Sequence, residues 1–213
     1  MLKSMTRKKG QLGFELRYRG RGGYRPGAGR PKKPGAGVPH GPRPKLAARN
    51  PVHVTARVRD EAARLRTRQC FRVVLSAIGA VRERDGFRVV HFTVQRNHLH
   101  LLHLIVEARD AVALARAIQA LSIRAARAIN RVLGRSGKVF ADRYHAHALN
   151  TPTEVANAIA YVLGNSQVHA ARKGRAIHPE SVDALSSAAN RNYVAEPQTW
   201  LLRIGWMWGL PSG

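Results

Sequence analysis

From Pro51 to about residue 170 the apolar side chains change period in a fixed order, two, 3.6, two, two, 3.6, two, 3.6, and that order confines the chain to an α+β fold around one layered core. His53 to Val58 alternates like a strand, and residues 59–85 then recur at helical spacing through Ala62, Leu65, Cys70, Val73, Val74 and Ile78. Asp85-Gly86 marks a turn. Phe87 to Gln95 and His98 to Glu107 both read as strands, and the short Arg96-Asn97 break makes them a hairpin. An amphipathic helix follows over about 110–133, stopped by Gly134 and Gly137. Phe140 to Leu149 supplies a fourth strand. Thr151-Pro152-Thr153-Glu154 opens a last helix, with a cap, a proline at the first position and an acid in the first turn, running to about 163 and extending toward 169. The order β-α-β-β-α-β-α predicts a ferredoxin-like antiparallel sheet (β-α-β-β-α-β) with one extra helix at its C-terminal end.

The flanks obey different rules. Residues 1–50 hold 14 Lys or Arg against the single acid Glu15, so they supply +13 of the formal +25. With many Gly and Pro among them, such a stretch buries too little to fold and is expected to be a disordered basic leader making salt-sensitive phosphate contacts. Residues 51–170 form the expected folded domain. Residues 171–213 are less regular, but Trp200-Leu201-Leu202 and Ile204-Gly205-Trp206-Met207-Trp208 are too apolar for water, and dock on the core or serve a partner surface.

With 37 Lys or Arg against 12 Asp or Glu and a pI near 11.7, the natural partner is a polyanion, and nucleic acid before a membrane surface. No run of about 18 apolar residues and no cleavable signal peptide is found. Cys70 stands alone, which excludes an internal disulfide and a cysteine-based zinc cluster and fits a reducing cytoplasm, nucleoid-associated given the charge. Its place in an apolar helical pattern predicts burial.

Two constellations carry chemistry. His98 and His100 sit two apart on one strand, so their imidazoles share a sheet face, about 6.6 Å apart at the base, where one metal ion can bridge them. His103 has the opposite parity and is set aside as facing the other way. An H-x-H alone is a weak signal, since two half-buried strand histidines with hydrogen-bond partners look the same. Tyr161 and Asn165 lie four apart on one face of the last helix. A tyrosine nucleophile needs a phosphate held beside a cation, and an amide one turn along is placed to help hold that cation. The competing reading of Tyr161 is a core aromatic with a tethered hydroxyl.

Asn97-His98-Leu99-His100-Leu101-Leu102 and Tyr161-Val162-Leu163-Gly164-Asn165, in this order and on these elements, resemble the two motifs of single-tyrosine HUH transposases, particularly the REP-associated tyrosine transposases and their insertion-sequence relatives. The resemblance spans about residues 50–170, and Phe140-Ala141-Asp142-Arg143-Tyr144-His145 looks like the strand that precedes the tyrosine helix in that family. Ser166 departs from the proline common there. The resemblance implies that the last helix is catalytic, that Tyr161 attacks a phosphodiester of single-stranded DNA to leave a 5′-phosphotyrosine and a free 3′-hydroxyl, that His98, His100 and Asn165 hold Mg²⁺ or Mn²⁺, and that the substrate is a hairpin or palindrome. Relatives include monomers and dimers, and the Trp-rich end could serve a homodimer.

Tyr144-His145-Ala146-His147 is a rival H-x-H beside a tyrosine, but a tyrosine on the ligands' own strand swings poorly over a metal and Tyr144 lacks the amide four residues on. Arg143, His145 and His147 read instead as DNA-surface or sheet-face residues. Arg124, Arg127 and Arg131 share one helical face, and Arg64, Arg66, Arg68, Arg72, Arg82 and Arg84 crowd the first helix; each set is a phosphate stripe or a solvated face. The alternative class is a silent nucleic-acid-binding module using its sheet as RNA-recognition motifs do. That reading needs exposed aromatics on the central strands, and the strand after Phe92 carries the histidine pair instead.

Overall fold

The computed structural model describes residues 45–62, 65–95, 101–171 and 182–210, with side chains of 165–171 excluded. Residues 1–44 of the basic leader, His98 and His100 lie outside the described residues.

The first strand, β1 (Val52–Arg57), buries Val52, Val54 and Ala56 on one face and turns His53, Thr55 and Arg57 to the other, as its alternation requires. The helix expected over 59–85 is shorter. A 3-10 turn at Asp60–Ala62 precedes α1 (Arg68–Gly79), because the Thr67 hydroxyl accepts from the Cys70 N–H and starts the helix afresh. Cys70 is buried, as its spacing predicts.

A two-residue strand that the sequence reading missed, β2 (Glu83–Arg84), pairs back on β3 (Phe87–Val94) across Asp85-Gly86, where Gly86 takes φ +67°. β4 (Leu101–Ala108) follows. Asp110 then caps α2 (Ala111–Val132), its carboxylate accepting from the Val112 and Ala113 N–H groups at 2.8 and 2.7 Å. Gly134 and Gly137, both at positive φ, follow that helix, as expected.

The fourth expected strand contracts to β5 (His145–Ala148). Phe140 makes an isolated bridge to Val58, and between them the Asp142 side chain accepts the Arg143 N–H at 2.7 Å, bending the chain out of the ladder. α3 (Pro152–Ala171) begins in a reciprocal cap, with Thr151 Oγ1 accepting from Glu154 N–H while Glu154 Oε2 accepts from Asn150 N–H.

The sheet runs β2-β3-β4-β1-β5 and every pairing is antiparallel. One face packs Val54, Phe92, Leu102 and Leu104 against Ile78 of α1 and Leu114, Leu121 and Ile129 of α2. The opposite face packs Val90 and Ile105 against Val155, Ala158 and Val162 of α3, together with Leu201 and Leu202. Each such aliphatic burial stabilises by roughly 1.5–3 kcal/mol, enough in sum to seat α3 firmly on the sheet. A bulge places Val90 between Val89, opposite Val106, and His91, opposite Ile105, so Val90 and His91 both face the α3 side.

The C-terminal residues close the free side of β3. Leu185 O accepts from Val94 N–H, Ser187 N–H donates to Phe92 O, and Ala195 N–H donates to Val89 O, at 3.0, 2.9 and 2.8 Å. That covers an edge which β2 is too short to pair. The buried Glu107 carboxylate then accepts the Gln198 and Thr199 N–H groups, with Arg88 Nε at 3.7 Å, and fixes the entry to α4 (Trp200–Arg203) and the 3-10 turn Gly205–Gly209.

Candidate active site

Side chains directly opposite on neighbouring strands point to the same side of a sheet, so the pairings Thr55↔His103, Thr55↔His145, His53↔His147 and Thr93↔His103 gather a polar row on the α3 face. His103 is 3% exposed, whereas His145 and His147, on the edge strand, are exposed. His103 Nδ1 lies 3.2 Å from His53 Nε2 and 3.3 Å from Thr55 Oγ1, and the two imidazoles stack with centroids 5.4 Å apart. Nε2 of His103 is buried with no hydrogen-bond partner among the described residues.

Tyr161 stands over this pair. Its ring meets His103 edge-on at 5.1 Å between centroids and His53 at 6.0 Å. α3 turns Val155, Ala158 and Val162 into the core, which leaves Tyr161 at the margin with 41% of its surface exposed, and so not a core aromatic. Asn165 lies one turn farther along the same helix, its side chain outside the described residues.

Burial, and then the neighbouring His53, hold His103 down to about 3. His53 is lowered by burial first, then by His147 and His145. Both imidazoles are therefore neutral at pH 7, each with one N–H to place and one lone pair to offer.

His103 corrects the sequence reading. Alternation counted back to His98 placed it away from the tyrosine, yet it is the ring directly beside Tyr161. The strand is described from Leu101, with Gln95 N–H donating to Leu101 O at its mouth. A usable signal was present: His103 lies between Leu102 and Leu104, both committed to the other face.

The rival tyrosine separates from its histidines, for Tyr144 packs against the α1/α2 core. Arg143 is half-buried. Arg124, Arg127 and Arg131 are exposed on α2, across the sheet from Tyr161, as are Arg68 and Arg72 on α1. Phe92 is fully buried beneath the helices, so it offers no base-stacking surface. Among the described residues no group of three or more His, Cys, Asp or Glu is arranged to hold a metal ion, and no helix is long and apolar enough to cross a membrane.

No protein-family model matches the chain, and no curated protein matches it. Among solved structures, a REP-associated tyrosine transposase bound to a REP hairpin is similar, with a TM-score of 0.50 and 15% identity, over 72% of this chain and 84% of that one. At that identity the likeness is one of fold.

Proposed function

We propose that the chain is a DNA strand transferase of the HUH type, cutting single-stranded DNA with Tyr161 and rejoining it by the reverse step, and that its sheet, less the short β2, is the ferredoxin-like arrangement of such enzymes. The observation that carries the reading is the setting of Tyr161: a half-exposed phenol, on a helix otherwise committed to the core, held edge-on by two neutral, stacked imidazoles. A nucleophile needs an open approach and a fixed ring, and that setting supplies both. The similar fold of a transposase bound to a REP hairpin supports a hairpin or palindromic DNA substrate.

In the forward step the Tyr161 oxygen bonds to phosphorus and the P–O3′ bond breaks. The proton lost by the phenol is balanced by the one gained at the freed 3′-hydroxyl, and the 5′-phosphate stays on the tyrosine. His103 and His53, neutral and buried, act as positioning residues that hold the ring.

His98, His100 and Asn165 would hold a divalent ion. His98 and His100 fall in the sequence between Gln95 and Leu101, which lie one step beyond the Thr93 and His103 row below Tyr161, and the buried Gln95 carboxamide has no partner among the described residues. Two imidazoles and an amide oxygen from Asn165 form a neutral set suited to Mn²⁺ or Mg²⁺, which when bound would keep its charge for the phosphate.

The test is a single-stranded hairpin oligonucleotide incubated with the full chain and Mn²⁺ or Mg²⁺. A denaturant-stable protein–DNA adduct is expected, with Tyr161 identified in the linked peptide by mass spectrometry, and Tyr161→Phe should remove the adduct while binding persists. An adduct that survives in Tyr161→Phe overturns the assignment.

A further inference from the structure

Tyr161 chemistry makes no use of the C-terminal aromatic surface. Trp208 is 77% exposed and Trp200 53%, with ring centroids 6.5 Å apart and planes inclined at 61°, and Ile204, Met207 and Leu210 beside them are exposed as well. Large rings clustered in water mark a contact surface.

These rings are held on a rigid mount. Leu201 and Leu202 anchor the segment in the core under α3, and Glu107 fixes the backbone at Gln198 and Thr199. A Cβ on Gly205 would lie 2.6 Å from the Trp200 ring, so that ring lies against bare backbone there. At Gly209 a Cβ would collide with the Pro152 carbonyl, so the turn bearing Trp208 is wedged against the start of α3. Tryptophan has two side-chain torsions, and on such a mount little freedom is left to lose when a ligand binds.

Charge chooses the occupant. Between Trp200 and Leu210 the sole charged residue is the exposed Arg203, on a chain of formal charge +25, which opposes docking of a second copy and favours a polyanion. Bases, unlike phosphates, have a π-face to set against an open indole.

We infer that Trp200 and Trp208 form a shelf on which bases of single-stranded DNA stack; the shelf does not rest on the reading of Tyr161 as nucleophile. The test measures fluorescence anisotropy of the full chain with labelled oligothymidine and with an abasic strand of equal length, over a range of salt. Trp208→Ala, and Trp200→Ala in turn, should weaken oligothymidine binding by roughly 5- to 100-fold, with the salt slope unchanged because no phosphate contact is lost. Trp208→Phe should recover most of the loss, and the abasic strand should bind parent and variants alike. In the parent, oligothymidine should quench tryptophan emission and the abasic strand should not.

Equal oligothymidine affinity in parent and Trp208→Ala overturns the shelf, as does an equal loss for both strands. Sedimentation showing a parent dimer that Trp208→Ala splits would assign the surface to a second copy instead. If the adduct forms in the parent while Trp208→Ala binds unchanged, the shelf alone is lost; if stacking is found and no adduct forms, the nucleophile alone is lost.

Discussion

Val54 and its sequence neighbours His53 and Thr55 occupy one strand, yet Val54 is enclosed by aliphatic side chains beneath α1 and α2 while the other two help line a polar row beneath α3. The same division runs along β4, where Leu102 and Leu104 serve the helical core and His103 and Glu107 the opposite side. The α1/α2 side is held by dispersion and water exclusion, which are non-directional and tolerate repacking. The α3 side is held partly by hydrogen bonds and neutral imidazoles, which demand particular partners and respond to protons. An apolar and a polar side are thus separated by the thickness of one strand.

The contrast can be broken first on its apolar side. Leu104→Ala should cost about 2–5 kcal/mol in urea unfolding, by lost transfer energy and the cavity left behind. Protons should attack the other side. His103, held to about 3, and His91, lowered to about 4 by burial and then Arg191, bind protons more readily once unfolded. With folded values depressed, their contribution is complete above the ordinary histidine range near pH 6.5 and is lost as pH falls toward 4. Stability should therefore drop between pH 7 and 4, with His103 accounting for up to about 3 kcal/mol, and His103→Gln should flatten the profile; a drop of unchanged size would remove His103 as its source.

A smaller change is expected at Glu107. Replacing its charge in Glu107→Gln weakens the hold on the Gln198 and Thr199 N–H groups, and about 1.5–3 kcal/mol should be lost, accompanied by a red shift of tryptophan emission as α4 loosens. The least effect is expected on the outer surface of the helical side, where Arg124→Ala with Arg127→Ala should shift stability by less than about 0.5 kcal/mol and leave the rate of adduct formation unchanged. A clear fall in that rate would mean that DNA wraps both sides of the sheet.

Much of this division was readable from periodicity. Val52, Val54 and Ala56 declared the buried side of β1, the stripe through Leu114, Leu121 and Ile129 declared α2, and Thr151 with Glu154 declared the start of α3. What escaped was set by tertiary partners. The first helix looked longer because Ala62 and Leu65 are buried, but they are buried outside α1. The path of residues 185–195 along β3 has no local periodicity, since it is a response to an edge left open by a two-residue β2. In the candidate site, Tyr161 was legible from its place on an apolar helix, while the pairing of His53 with His103 spans 50 residues and shows only when two strands lie side by side.

The surplus residue at Val90 has a consequence for any homologue or variant that lacks it. Without it the strand would alternate regularly, with Phe87, Val89, Phe92 and Val94 still toward α1 and α2 and His91 and Thr93 still toward α3, and one valine would be lost from beneath α3. Flattening the bulge while keeping the residue would instead put a phenyl ring under the tyrosine helix and an imidazole into oil, a frameshift of faces that no rearrangement of side chains alone could reverse.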